Sequence, residues 1–151
     1  MEVARLCQRK VVTIAPTEDL TTAAELMRKQ HVGYLVVVEA AAAEGGLRPT
    51  GVLTDRDIVV MVVGKQADPR ALRVGEVMSS DPVTVRDTDT VERAVQEMRR
   101  IGVRRLPVVD SHGQLTGVLS LDDVLDSLAG QLGNVAASLR NEQRIEGALR
   151  T

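Results

Sequence analysis

Aromatic side chains are almost absent from the sequence: Tyr34 is the only one among 151 residues, and there is no Phe or Trp. A chain without aromatic rings has no stacking platform for single-stranded nucleic acid. The formal net charge is −2 and the 19 basic residues are spread along the chain, so the basic patch that drives non-specific nucleic-acid binding is missing too. We therefore expect no nucleic-acid partner.

Cysteine and long apolar runs are equally scarce. Cys7 is the only cysteine, which excludes an intrachain disulfide. The longest apolar stretch near the middle, Ile58 to Val63, is too short to cross a bilayer, and the sequence shows no apolar signal segment. These absences predict a cytoplasmic protein without a membrane partner.

Catalytic motifs are missing as well. His31 and His112 stand in different contexts, and Cys7 has no evident base partner. The sequence contains no nucleophile elbow, P-loop, dinucleotide-binding glycine motif or metal-spaced cluster. We predict neither an enzyme nor a required cofactor or metal site.

What the sequence does contain is an internal repeat. Shifting the chain by 71 residues produces 11 identities among positions 3 to 38, from Val3 with Val74 to Val38 with Val109. After that block Gly51-Val52-Leu53 matches Gly117-Val118-Leu119 at a shift of 66, so the first copy carries five extra residues. Composition places this excess in a solvated hairpin connection between residues 39 and 50.

Each copy has the periodicity of a β-α-β-β-α unit. The first helix of each copy has apolar residues at i, i+3, i+4 and i+7, and the second helix starts at Thr54 or Ser120. Because a three-stranded sheet of this size cannot bury both faces alone, the two copies are expected to pack together. The helix stripes are Leu20, Ala23, Ala24 and Met27, and Val91, Ala94, Val95 and Met98; the first strands are Val11 to Ile14 and Pro82 to Val85.

The order and spacing of these motifs resemble a pair of cystathionine-β-synthase-type (CBS) domains from residue 3 to about 130. The resemblance implies a Bateman module, an α/β (α+β) fold in which two repeats pack with pseudo-twofold symmetry and leave two clefts for AMP, ADP or ATP. We place CBS domain 1 at 1–63, a connector at 64–73, CBS domain 2 at 74–129 and a C-terminal helical tail at 130–151. The motifs are Val12 to Ile14, Val32 to Val38, Gly51 to Asp57, Pro82 to Val85, Gly102 to Asp110 and Gly117 to Ser120.

The family's ligand motif, a hydroxyl residue with Asp three positions on, occurs as Thr54/Asp57 and again as Ser120/Asp123. A carboxylate can accept both hydroxyls of a ribose, and a hydroxyl at a helix start can donate to a phosphate. The same pairs are also helix-capping sequences that need no ligand. Both interpretations stay open at this point.

By position, the resemblance implies that the base lies between the first strand and the strand after the first helix. For the aliphatic residues among the base positions listed below, the alternative is a role in the core alone. Arg56, Arg104 and Arg105 are candidates for phosphate contacts, and a surface arginine pair is the alternative for the last two. Because Gly33 and Tyr34 replace this arginine pair in the first copy, we expect the Ser120/Asp123 motif to contribute more to nucleotide binding than the Thr54/Asp57 motif. The base positions are Thr13, Ile14, Tyr34, Leu35 and Val36, and Thr84, Val85, Arg105, Leu106 and Pro107.

The C-terminal tail supports a rival hypothesis, in which the repeats are a dimerising scaffold that acts through this segment without a nucleotide. Apolar residues recur there with spacings of 3, 4, 3 and 4, the pattern of a coiled-coil seam. Gly130 and Gly133 predict instead that one helix ends near Ala129 and another, capped by Asn134, runs to about Leu149. The helical faces also predict a homodimer. The seam residues are Leu125, Leu128, Leu132, Val135 and Leu139.

Overall fold

The computed structural model describes residues 1–41 and 45–150, and both repeats have the predicted β-α-β-β-α order. A 3₁₀ turn (Val3–Arg5) precedes the first repeat, and α2 continues as a π-helical segment (Val59–Val63). The elements are β1 (Thr13–Ile14), α1 (Leu20–Gln30), β2 (Tyr34–Ala40), β3 (Leu47–Thr54), α2 (Asp55–Ile58), α3 (Val74–Val77), β4 (Ser79–Ser80), β5 (Val85–Arg86), α4 (Val91–Ile101), β6 (Arg105–Val109), β7 (Leu115–Ser120) and α5 (Leu121–Leu149).

Strand lengths differ from the sequence prediction. The first strand of each repeat is only two residues long, β1 beginning at Thr13 and β5 at Val85, because its parallel pairing with the next strand covers only those positions. The segment expected to be a loop between residues 39 and 50 is largely strand, since β2 runs to Ala40 and β3 starts at Leu47. Residues 42–44 of that predicted connection lie outside the described residues.

The helix stripes form two aliphatic cores, one in each repeat. Leu20, Ala23 and Met27 of α1 are buried against β2 and β3, and Val91, Ala94 and Met98 of α4 occupy the same positions in the second core. Ala24 was expected to join the first stripe but is exposed. The opposite sheet face is covered as well, because Val36 is fully buried there and β3 contacts β7 of the other repeat.

The segment that leads into each repeat packs on the other repeat. Val3 lies in the core of the second repeat, and its N–H donates to the Asp89 carbonyl at 2.8 Å; Val74 lies in the core of the first, and its N–H donates to the Glu18 carbonyl at 2.8 Å. These two hydrogen bonds are related by the 71-residue shift of the repeat. The exchange is therefore symmetric, as expected for two repeats related by a pseudo-twofold axis.

The predicted break in the C-terminal helix is wrong. α5 is one helix of 29 residues with Ser120 as its N-cap, and it passes through Gly130, Gly133 and Asn134 without ending. A glycine ends a helix when it adopts positive φ, as Gly102 does after α4, whereas neither Gly130 nor Gly133 has positive φ. Within the described ranges, no helix is long and apolar enough to cross a membrane.

Candidate ligand clefts

Two clefts lie between the repeats, and each combines the hydroxyl/Asp motif of one repeat with the wall of the other. The larger one, the Thr54 cleft, has a volume of about 640 Å³ and joins Thr54 and Asp57 to residues 79–83 and 101–107. The smaller one, the Ser120 cleft, has a volume of about 290 Å³ and joins Ser120 and Asp123 to residues from 8 to 12 and 31 to 34. Small-molecule sites commonly have volumes of about 300–1,000 Å³, so the Thr54 cleft is the roomier candidate.

In the Thr54 cleft the motif forms a complete capping box. The Asp57 N–H donates to Thr54 Oγ1 at 3.2 Å, and the Thr54 N–H donates to Asp57 Oδ2 at 2.9 Å. Among the described residues no donor reaches Asp57 Oδ1, so this oxygen keeps its capacity to accept a hydrogen bond. Capping and ligand binding therefore use different atoms of the same carboxylate.

The Ser120 cleft has the same capping box but a fully engaged carboxylate. The Asp123 N–H donates to Ser120 Oγ at 3.1 Å, and the Ser120 hydroxyl donates to Asp123 Oδ2 at 2.7 Å. The other oxygen, Oδ1, accepts from the Gln8 side-chain amide at 3.1 Å. A ligand hydroxyl would share this oxygen with Gln8 or compete with it, so the Asp123 carboxylate is less free to accept a hydrogen bond than that of Asp57.

Three arginines line the Thr54 cleft: Arg56, Arg104 and Arg105. Arg104 also forms an exposed ion pair with Asp122, whose carboxylate lies 3.1 Å from its Nη2. The position matching Arg56 in the second motif is Asp122, which lines the Ser120 cleft. Arg104 and Arg105 both line the Thr54 cleft, and Arg105 lines the Ser120 cleft as well, so the expectation that this arginine pair favours the Ser120/Asp123 motif stays a prediction.

Tyr34 and Arg105 stand between the clefts and line both of them. The Arg105 guanidinium carbon lies 5.5 Å from the centre of the Tyr34 ring, within the range of a cation–π contact. Burial raises the pKa of the Tyr34 hydroxyl well above its usual value, and the charge of Arg105 opposes this shift. The hydroxyl therefore stays protonated at physiological pH.

The predicted base-binding positions divide between cleft and core. Tyr34, Arg105, Leu106 and Pro107 line the Thr54 cleft. Thr13, Ile14, Leu35 and Val36 line neither cleft, and the last three are buried side chains. Thr84 and Val85 also line neither one.

Sequence reasoning missed several cleft-lining residues because they come from the repeat opposite the motif. Lys10 and His31 line the Ser120 cleft, and Ser80, Asp81 and Val83 line the Thr54 cleft. The 71-residue shift relates Lys10 to Asp81 and Val12 to Val83. This correspondence was visible in the sequence, but which repeat each residue faces depends on the exchanged lead-in segments. No group of three or more potential metal ligands occurs in the part of the chain that the structure describes.

Together, the duplicated α+β repeats, their exchanged lead-in segments and the paired clefts define a module of two packed domains with a cleft on each side of the pair. Comparison with known proteins identifies the family: the CBS domain model matches residues 3–64 and again 74–130. The chain belongs to the CBS domain family, with two tandem copies.

Two curated relatives and one solved structure match most of the chain. The CBS domain-containing protein YhcV of Bacillus subtilis is 35% identical, covering 85% of this chain and 84% of that protein. Protein MK0525 of Methanopyrus kandleri is 34% identical over 83% of this chain, which spans 61% of that relative's length. The structure of CBS domain protein PAE2072 from Pyrobaculum aerophilum complexed with AMP superposes with a TM-score of 0.71 at 32% identity, covering 82% of this chain and 89% of that one.

Proposed function

We propose that this protein is a regulatory module that senses an adenosine nucleotide, and that the Thr54 cleft is its principal binding site. The observation that carries the proposal is Asp57, which lines a cleft of about 640 Å³ together with three arginines and whose Oδ1 accepts no hydrogen bond from the described residues. A carboxylate acceptor beside guanidinium groups matches a ligand that has ribose hydroxyls at one end and phosphate at the other.

Each part of the nucleotide has a counterpart in this cleft. Asp57 accepts the ribose hydroxyls through Oδ1, while Thr54 and Arg56 donate to the phosphate. The base lies against the half-buried side chain of Val83, and it meets the cleft wall at Leu106 and Pro107, whose side chains are themselves fully buried. Polar main-chain groups near Tyr34 give the base its hydrogen-bonding partners.

This proposal reverses the ranking of the motifs that the sequence predicted. The Ser120/Asp123 pair was expected to contribute more because Arg104 and Arg105 lie in the same repeat. Of the two clefts Arg104 lines only the Thr54 cleft and Arg105 lines both, and the Gln8 amide donates to one oxygen of the Asp123 carboxylate. We therefore propose that the Ser120 cleft binds more weakly. The AMP complex of PAE2072, at 32% identity, supports a nucleoside phosphate as the ligand class.

The proposed role is regulatory and not catalytic: nucleotide occupancy would change how the module presents its surface to a target protein in the cytoplasm. AMP, ADP and ATP are the first candidates, with S-adenosylmethionine and NAD as further ones. We also propose that the protein is a homodimer.

A dimerising scaffold that needs no nucleotide is the second candidate function. Both capping boxes are complete without a ligand, and the apolar stripe of α5 is exposed, with Leu132 at 71% of its full exposure. In this alternative the clefts have only a structural role, and α5 binds another chain.

Nucleotide titration with thermal unfolding separates the two functions. At about 100 times the dissociation constant, a ligand adds about 2.7 kcal/mol to the free energy of unfolding, which is about 5 to 10 °C for a chain of this size. We expect one member of the panel AMP, ADP, ATP, S-adenosylmethionine and NAD to produce such a shift. Asp57→Ala should remove more than half of it, and Asp123→Ala should remove less.

Each variant must be compared with its own ligand-free melting point, because losing either cap costs about 1 kcal/mol. The nucleotide proposal fails if none of the panel stabilises the wild type, or if Asp57→Ala leaves the ligand-induced shift intact. Either result favours the scaffold function.

A further inference from the structure

The far half of α5 has no support from its own module. At 1.5 Å per residue the helix is about 43 Å long, and only Val124 in its first turns is buried. From Gln131 to Leu149 every side chain except that of Ala136 is exposed. The helix also contains Gly130 and Gly133, which are weak helix formers, so its stability calls for a partner surface.

α5 carries an apolar seam with an unusual ending; five of its six members are exposed, and Leu121 at its base is half-buried against the second core. Its six members, with spacings of 4, 3, 4, 3 and 4, follow the heptad pattern of a two-helix seam. Continuing the same spacing past Leu139 places Glu142 and Glu146 on the seam, and Ile145 and Leu149 beside them at i, i+3, i+4 and i+7. The six members are Leu121, Leu125, Leu128, Leu132, Val135 and Leu139.

A groove at the base of α5 is complementary to that ending. Its volume is about 220 Å³, and it is lined by the apolar side chains of Val95, Met98, Val103 and Leu121 together with Arg99 and Arg104. Leu121 belongs to both the groove and the seam, so the two surfaces are continuous. The groove thus offers apolar contacts for Ile145 and Leu149 and two cations for Glu142 and Glu146.

We propose that α5 pairs antiparallel with α5 of a second copy, about a twofold axis near Gly130, and that the last turns of each helix cover the groove of the other. This register pairs Leu121 with Leu139, Leu125 with Val135, and Leu128 with Leu132 of the second copy. All six apolar side chains are used, and the glutamates meet Arg99 and Arg104.

The charges decide between antiparallel and parallel pairing. A parallel pair would bring Glu142 and Glu146 against the same residues of the second copy within the seam, where like charges in contact are unfavourable. The antiparallel pair separates the glutamates of the two copies and places them beside Arg99 and Arg104, which neutralise their charge. The inference does not rest on the nucleotide proposal, since none of the six seam residues lines the Thr54 cleft; of the groove residues named above, Val103 and Arg104 line both the groove and that cleft.

Light scattering on the full chain tests the dimer itself. The wild type should have twice the chain mass of 16.3 kDa. Leu128→Asp should weaken dimerisation at least about 100-fold, because one buried leucine is lost from each copy. Ala137→Asp adds the same charge to the opposite, exposed side of α5 and should leave the mass unchanged. A monomeric wild type, or a Leu128→Asp variant that remains dimeric, overturns the proposal.

Cysteine cross-linking tests the direction of pairing in a Cys7→Ser background, which removes the only native thiol. A mixture of Leu125→Cys and Val135→Cys chains should form a disulfide dimer, whereas Leu125→Cys alone should not, because its two thiols lie ten residues apart along the pair. The reverse result demonstrates parallel pairing and overturns the proposal.

Charge reversal tests the groove contact without cysteines. Glu146→Arg should raise the dimer dissociation constant about tenfold, and adding Arg99→Glu should restore it, as expected for a charge pair worth about 1.4 kcal/mol. If the double variant is no better than the single one, the helix end does not occupy the groove.

Discussion

At the scale of single residues, Tyr34 and Arg105 occupy the centre of the molecule. They are equivalent positions of the repeat, related by the 71-residue shift, and they stack on each other between the clefts. An exact repeat would place two identical side chains there. The substitution of an arginine for one of them puts a cation within reach of both clefts and makes the two clefts chemically different.

Arg56 gives a prediction that separates phosphate contacts from base and ribose contacts. Arg56→Ala should weaken AMP binding about tenfold, equivalent to about 1.4 kcal/mol, because a charge-assisted contact is lost. Adenosine, which has no phosphate, should bind equally well to both proteins. Isothermal titration with the two ligands measures this difference.

Arg28→Ala is the matched control, since Arg28 is exposed on α1 and lines neither cleft. Equal losses of AMP and adenosine affinity in Arg56→Ala would contradict a phosphate role for this residue and indicate a general distortion of the cleft.

At the scale of the secondary-structure element, α5 serves two parts of the molecule. Its first turns place Asp123 in the Ser120 cleft and Val124 in the second core. Its remaining turns carry the apolar seam away from the module. A single helix therefore connects a candidate ligand site rigidly to a candidate interface, because a continuous helix transmits a change of orientation along its whole length.

Truncation after Ala129 tests this division of α5. The shortened chain should retain one cooperative unfolding transition. From Gly130 to Arg150 every residue except the half-buried Ala136 is exposed, and Val124 remains in the core. Its mass in solution should fall to that of a monomer. Circular dichroism during heating and light scattering measure the two outcomes.

Loss of all cooperative unfolding in the truncated chain would show that the distal half of α5 belongs to the folding unit. Full-length Leu128→Asp is the comparison, since it removes the same association without shortening the helix.

At the scale of the whole molecule, exchange of the lead-in segments joins the two repeats into one unit. The exchange brings main chain close to the sheets at Gly51 and Gly117, which are equivalent positions. A Cβ at Gly117 would lie 2.8 Å from the Gln8 carbonyl oxygen and 2.9 Å from Cys7 Sγ. Neither repeat can close its core without the other, so the pair is expected to unfold together.

Gly117→Ala should therefore destabilise the protein by about 1–3 kcal/mol, as overpacking does elsewhere, because the obstructing Gln8 oxygen is main chain and cannot rotate away. Gly130→Ala is the control: a Cβ there meets nothing within 4 Å, and the change should stabilise α5 by up to about 1 kcal/mol. Denaturant unfolding at one fixed protein concentration measures both values. If Gly117→Ala leaves the stability unchanged, the lead-in segment can move away from the sheet at little cost.

Much of this protein was predictable from the sequence alone, because the features concerned are local. The apolar periodicity of α1 and α4 fixed which faces are buried, apart from Ala24. The caps at Thr54 and Ser120 fixed where α2 and α5 begin, since each hydroxyl bonds a main-chain N–H three residues away. The repeat itself predicted two equivalent units that pack together.

Only the tertiary structure decided which hydroxyl/Asp motif shares a cleft with which residues of the other repeat. Arg104 and Thr54 are 50 residues apart in sequence, and their meeting depends on the path of the chain through the exchanged lead-in segments, which no local pattern records. The same holds for Gln8, whose hydrogen bond to Asp123 distinguishes the two clefts. The continuity of α5 was also undetermined, because a glycine permits a helix to end without requiring it, and its backbone conformation at Gly130 and Gly133 depends on the surroundings of the whole helix.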